Sequence, residues 1–281
     1  MNGVSQDLKL AIAVHRAGAM PSLMPNNLEK DVKLFKKLTG NTNLVISVSE
    51  IDLYNNNFVD NLIDLKITFV ELMRDDIDSV EKLNSIKPLS ENWYNCTFLK
   101  NLERLKSNNI KIMRRCFKQP IETFDLIDAV CIKGKESAGF SSDISVEQLL
   151  QEQKAKTPDA KLITYGGIAG PDDVKKYLDL GADAVGVGTL FAASVESCID
   201  IKTKQLMVSK TKKDLTLFQD TKQNAMVIEP LDSDDDFNRH KSLDLGIRGI
   251  GGHIYAGYSI NGVTEIRTVK QTVDYLVTKI K

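Results

Sequence analysis

Short apolar runs alternate along the chain with stretches whose apolar residues recur every three or four positions. Leu44–Val48 (LVISV), Ile67–Leu72 (ITFVEL), Ile110–Met113 (IKIM), Ala129–Ile132 (AVCI), Leu162–Tyr165 (LITY) and Ala184–Val187 (AVGV) read as buried strands. They are short, rich in Val and Ile, and bounded by turn residues. Met20–Leu23 adds a seventh, less apolar candidate. The runs are continuous rather than alternating, which suits a parallel sheet covered on both faces.

The intervening segments read as helices. Leu28, Val32 and Phe35 fall at i, i+4 and i+7, with Gly40 as a stop. Ser145 and Gln148 have the spacing of a capping box ahead of the stripe Val146, Leu149 and Leu150. Pro171 opens the next helix and Gly181 closes it, with Val174, Tyr177 and Leu178 facing inward. Val269, Val273 and Leu276 define a last amphipathic helix.

Strand–helix alternation implies parallel βαβ units. Seven candidate strands favour a TIM-type (β/α)8 barrel, an α/β fold, over a doubly wound open sheet. A length of 281 residues suits one such barrel, so residues 1–281 read as a single domain. The rhythm breaks near residues 199–245, which are rich in Lys, Asp and Asn and read as an irregular insertion. Its acidic run Asp232–Asp236 (DSDDD) lacks the full spacing of a calcium-binding loop and reads as a solvated surface loop.

Composition narrows the field of partners. Hydrophobic residues make up 42% of the chain and charged residues 27%, with a formal net charge of −1. No basic excess points to nucleic acid or to an anionic membrane. The chain does not open on a basic segment followed by an apolar one, and its apolar runs are too short to span a bilayer, so a soluble cytoplasmic protein is expected. Cys96, Cys116, Cys131 and Cys198 are scattered without a C-x-x-C pair and read as thiols in a reducing compartment. His15, His240 and His253 form no metal-ligand pattern.

Three segments at strand ends carry candidate chemistry. In Thr164–Pro171 (TYGGIAGP) a strand runs into glycines and then a helix start; in Gly186–Phe191 (GVGTLF) the same occurs, with Thr189 as a hydroxyl donor. Glycines let backbone amides approach a phosphate closely, and a helix start adds favourable partial charge. Either segment alone could be a plain tight turn. Together they end consecutive strands near the closing end of the barrel, where such barrels hold phosphate. The third segment, Cys131–Phe140 (CIKGKESAGF), places Lys133, Glu136 and Ser137 after a strand, where a catalytic loop or a merely solvated one would lie.

At these segments the chain resembles the nitronate monooxygenase (2-nitropropane dioxygenase-like) family, FMN-dependent barrels related to flavin-dependent enoyl-ACP reductases. The opening Met1–Ser5 and Leu10–Leu23 look like the family's first turn, helix and second strand. Gly134–Phe140 (GKESAGF) stands where the family carries G-x-E-A-G-G-H, Tyr165–Ile168 and Leu180–Ser197 resemble its flavin-phosphate region, and Ala256–Ser259 with Val263–Ile266 its closing segment. The likeness is weak over residues 54–125 and 205–245. It implies FMN as cofactor, with Gly166, Gly167, Gly188 and Thr189 at the phosphate. Lys133 stands where the family often has Gln near the flavin ring; Gly139 lies beside the ring, Met1 offers a backbone contact, and Ser47 is a looser candidate.

Two departures qualify the chemistry that the resemblance implies. The family's catalytic histidine falls on Phe140, which cannot take a proton, and Tyr258 replaces the usual glutamine. Phe140, Lys133, Glu136 and Tyr258 are therefore the candidate catalytic positions. The family's first strand also precedes the point where this sequence begins, so that strand is expected to be missing or truncated, with Asn224–Ile228 (NAMVI) a candidate to fill its place. The leading expectation is an FMN-dependent oxidoreductase acting on a small nitronate-like anion, with O2 or NAD(P)H as second substrate and a homodimer as an assembly to test. The alternatives are an NAD(P)H-dependent enone or enoyl reductase, a degenerate barrel without catalysis, and a non-flavin barrel such as a sugar-phosphate isomerase.

Overall fold

A computed structural model of the chain describes residues 4–73, 93–117, 119–121, 125–218, 223–228 and 239–280. Met1 and the acidic run Asp232–Asp236 lie outside them. The strands in chain order are β1 (Ser22–Leu23), β2 (Val45–Val48), β3 (Phe69–Leu72), β4 (Lys111–Cys116), β5 (Ala129–Lys133), β6 (Gly139–Phe140), β7 (Lys161–Tyr165), β8 (Ala184–Gly186), β9 (Leu215–Phe218), β10 (Gln223–Val227) and β11 (His253–Ile254). Seven of them form one curled sheet in the order β1-β2-β3-β4-β5-β7-β8, every neighbouring pair parallel, as in a TIM-type barrel.

Alternate residues of these strands enter different cores, as a pleat with period two requires. Ile46, Val48, Val70, Leu72 and Ile112 pack outward with Val32, Phe35, Leu62 and Leu102 of the covering helices. Val130, Ile132 and Leu162 do the same with Leu149, Leu150, Val174 and Tyr177. The other set, Val45, Phe69, Met113, Ala129, Cys131, Ile163 and Tyr165, packs together inside the curl.

The helix ends follow the sequence signals. Asn27 caps helix Leu28–Thr39 by accepting from Lys30 N, and Gly40 closes it in the left-handed region, φ 85°. Ser145 accepts from Gln148 N at the start of helix Val146–Lys156, but only half of the expected box forms, and the Gln148 side-chain amide donates along the helix to Glu152. Thr268 and Gln271 form a full capping box on helix Val269–Leu276. None of the described helices is long and apolar enough to cross a membrane.

The stretch expected to be irregular contains regular elements among its described residues. Helix Ile201–Ser209, β9, β10 and helix Arg239–Ile247 lie within it. β10 pairs antiparallel with β9, β11 and the two-residue β6. The segment Asn224–Ile228 thus supplies a strand to this second sheet and does not fill a place in the barrel. Among the described residues no strand joins β8 to β1. The elements adjoining those two strands meet instead: Leu10 and Val14 of helix Leu8–Arg16, which leads toward β1, pack with Phe191 just after β8 and with Val269 and Val273.

Candidate functional site

The C-terminal ends of the parallel strands gather the predicted residues around the loop Gly134–Ala138. This loop is fixed from several sides. Lys135 N donates to Ile144 O at 2.8 Å, the Glu136 carboxylate accepts from Val146 N at 2.9 Å, and Ser137 Oγ donates to Tyr165 O at 2.9 Å. Tyr258 N donates to Glu136 O at 2.9 Å. The buried Asn224 amide donates to Lys135 O and Ser137 O at 2.6 and 3.0 Å. A second-sheet strand therefore clamps the loop that follows β5.

Glycines allow the close packing. A Cβ on Gly166, φ 106°, would stand 2.5 Å from Ser137 Oγ and 2.8 Å from Ser137 N. Its missing side chain seats the loop. A Cβ on Gly167 would meet Glu136 Cβ at 3.2 Å. Gly188 differs, for nothing lies within 4 Å of the position its Cβ would take. The adjacent Thr189 hydroxyl accepts from Gly257 N at 3.1 Å and keeps its own proton to donate. Of the phosphate candidates, Gly188 is exposed with open space beside it and Thr189 is buried behind it, an arrangement that fits a phosphate approaching the Gly188 backbone.

Lys133 ends β5 with 6% exposure, its ammonium 5.5 Å from the centre of the Phe117 ring. Ser47 also faces inward, but its hydroxyl donates to Glu71 at 2.9 Å and contacts Ser22 Oγ at 3.1 Å. Glu136 adds to the Ser145 cap by accepting from the first amide of helix Val146–Lys156. Tyr258 lies in a 3-10 turn, its ring 5.7 Å from the Lys212 ammonium. Gly139, φ 64°, and Phe140 form β6 opposite Asn224 and Gln223, and Phe140 is 55% exposed. The structure thus brings Lys133, Glu136 and the glycine turns together, while the Phe140 side chain faces largely outward.

One feature of the lumen was not foreseen. Glu71 on β3, 1% exposed, takes a bidentate pair from Arg115 on β4, at 2.8 Å from Nε and 2.7 Å from the terminal nitrogen. Burial alone would push this carboxyl up, but the charge and hydrogen bonds of Arg115, with Ser47 and Lys133, hold it below its ordinary value. The Cys131 thiol, in hydrogen-bond contact with Tyr165 and Glu71, is pushed well up by burial and then by the Glu71 charge. Burial likewise pushes the Tyr165 phenol well up, with help from Cys131 and Glu71. The phenol therefore stays protonated and can donate. A sign of this network was present in the sequence: Glu71 has the same strand parity as Phe69, and Arg115 the same as Met113.

The barrel places this chain in a well-populated class of α/β folds. Among solved structures it is similar to FabK from Thermotoga maritima, in a point variant and unaltered. The variant is 21% identical over 99% of this chain and 89% of that one, TM-score 0.77. The unaltered protein is 20% identical over 97% and 88%, TM-score 0.75. It is also similar to nitroalkane oxidase from Streptomyces ansochromogenes, 17% identical over 100% of this chain and 94% of that one, TM-score 0.73. The enoyl reductase domain of MlnA from Bacillus amyloliquefaciens is 12% identical over 98% and 91%, TM-score 0.67. No family model matches the sequence, and no curated protein does.

Proposed function

We propose that the protein is an FMN-dependent oxidoreductase of nitronate monooxygenase type, acting on a small nitronate-like anion. The observation that carries this reading is the open space beside Gly188, at the C-terminal end of β8, on a barrel shared over nearly its whole length with a nitroalkane oxidase. Gly166, Gly167, Gly188 and Thr189 would hold the phosphate, and Lys133 would face the ring. When bound, FMN supplies the electron-accepting ring. A nitronate is already a carbanion equivalent, so its oxidation needs no base at position 140.

Reduction of an enone or enoyl substrate with NAD(P)H is the second reading, favoured by the similarity to an enoyl reductase domain. Both readings require flavin. The protein purified without added cofactor, or after addition of FMN, is expected to show the two-banded flavin spectrum. Anaerobic mixing with propane-2-nitronate is expected to bleach it, and NADPH to leave it unchanged. Bleaching by NADPH alone would favour the second reading, and failure to take up FMN would overturn both.

A further inference from the structure

We propose that the groove between helices Leu8–Arg16 and Leu28–Thr39 is a second binding site, taking a long-chain carboxylate with its head on Arg16 and its chain along Leu8, Ile12, Leu34 and Leu38. The groove has a volume of about 700 Å³, within the range of roughly 300–1,000 Å³ of small-molecule sites. Leu8, Ile12 and Arg16 stand at i, i+4 and i+8, so they line up on one face of their helix, about 12 Å from end to end at the helical rise. Leu34 and Leu38 stand at i and i+4 on the facing helix and are 39% and 44% exposed. Two exposed leucines over an apolar floor form a patch of the kind that marks an interaction site.

The charges around the groove select the occupant. Glu196 lines it and accepts from Val269 N at 2.9 Å, and the neighbouring Lys270 pairs with Asp274. Lys9 stands in the first turn of its helix, whose cap Asp7 accepts from Cys198 N, close in sequence to Glu196. At this end the charges of Lys9 and Lys270 are balanced by those of Glu196 and Asp274. Arg16, at the other end, enters no ion pair among the described residues, and one terminal nitrogen donates to Leu38 O at 3.2 Å. A guanidinium carries five N–H donors in a planar fork, so four remain, a set that suits the two oxygens of a carboxylate. An excess cation at the end of an apolar floor matches a single-chain anion. A second copy of this chain on the same face would bring another excess cation and no counter-charge. Arg16 and Leu38 lie in the last turns of the helices that lead into β1 and β2, so the head rests where the strands begin, away from the loops that follow β5, β7 and β8.

Dodecanoate, below its micelle concentration, is the probe, titrated calorimetrically into the full chain with and without FMN. Dodecyltrimethylammonium offers the same chain with the opposite charge, and butyrate the same head on a short chain. Dodecanoate is expected to bind once per chain with the same affinity in either titration, and neither control to bind detectably. Arg16→Gln removes the cation and should weaken dodecanoate about tenfold or more, the loss of hydrogen bonds to a charged group. Leu38→Asp sets a carboxylate on the floor and should abolish binding. Both side chains are exposed, and circular dichroism should show both variants folded. Should one fail to fold, the wild-type contrast between dodecanoate and the cationic amphiphile decides the matter. Unchanged dodecanoate binding in both folded variants, equal binding of the cationic amphiphile, or displacement of dodecanoate by FMN would overturn the inference, the last by placing the chain at the strand ends. A wild type that takes up no dodecanoate and forms a dimer that Leu38→Asp dissociates would assign the groove to a second copy of the chain instead.

Discussion

The ring of Tyr165 lies across the bare backbone of Gly186, where a Cβ would stand 2.2 Å from Cε1 and 2.3 Å from Cδ1. The last inward residue of β7 thus occupies the space that β8 leaves by ending in glycine. Gly186→Ala should displace the ring and cost about 1–3 kcal/mol, the usual range for an overpacked interior. Urea denaturation checks the value. The double variant with Tyr165→Ala should recover most of the loss, because the two changes meet at one contact. An additive double variant would show that the ring is not what Gly186 accommodates.

The Glu71–Arg115 pair gives the fold a defined acid response. Removing one partner of a buried pair costs about 3–5 kcal/mol, and Glu71→Gln is expected to fall in that range. The Glu71 carboxyl lies below its ordinary 4.5 in the folded protein. Its contribution is therefore complete above that value and is lost as the pH falls through the lowered one. Urea midpoints of wild type and Glu71→Gln should stay a constant distance apart above about pH 5 and converge below about pH 4. A gap that persists in acid would mean that the carboxylate is not what stabilises this layer.

Gly188→Asp and Gly166→Asp should separate the two glycine turns. The first places a carboxylate in open space at φ −121°, where any residue fits, so the fold should survive while FMN uptake is lost by repulsion of the phosphate. The second drives a side chain into Ser137 at a positive φ and should impair folding itself. Flavin released by heat from the wild type should be FMN alone. Normal FMN content in folded Gly188→Asp would remove that glycine from the site.

Phe140→His tests the position where relatives of the resembled family carry a base. At a half-exposed position the imidazole should titrate near its ordinary value of about 6.5. Oxidation of a neutral nitroalkane should then rise with pH through that range, while nitronate oxidation changes little. A positioned base is worth roughly 100- to 10,000-fold, and the outward-facing geometry sets the expected gain at the low end. No gain in a variant that retains flavin would place this side chain outside the substrate pocket.

The strand pattern was legible because most outward positions, such as Ile46, Val70, Ile112, Val130 and Leu162, are apolar. The limits of β4 were less so. Apolar counting ends that strand at Met113, yet it runs to Cys116, with Arg115 turned inward onto Glu71. A charge inside a strand reads as an end until its partner on the next strand is known. The glycine turns were legible as turns, but not their different duties: Gly166 accommodates Ser137 and Gly186 accommodates Tyr165, contacts that depend on segments distant in sequence. The region near 199–245 reads as irregular because β9 and β10 are short and, among the described residues, pair only with each other, β6 and β11.

The clamp of Asn224 on the loop after β5 also sets an order of assembly. Its two hydrogen bonds join residues 89 and 87 positions apart, whereas the last strand of the parallel sheet ends at Gly186. During synthesis the sheet can pair strand by strand through comparatively local crossovers, but the loop beside Lys133 must wait for a contact from a later part of the chain. Such distant closure is slow, because the entropy of the intervening chain is lost before the contact repays it. The loop beside Lys133 therefore lacks this clamp in any nascent chain from which β10 has not yet emerged.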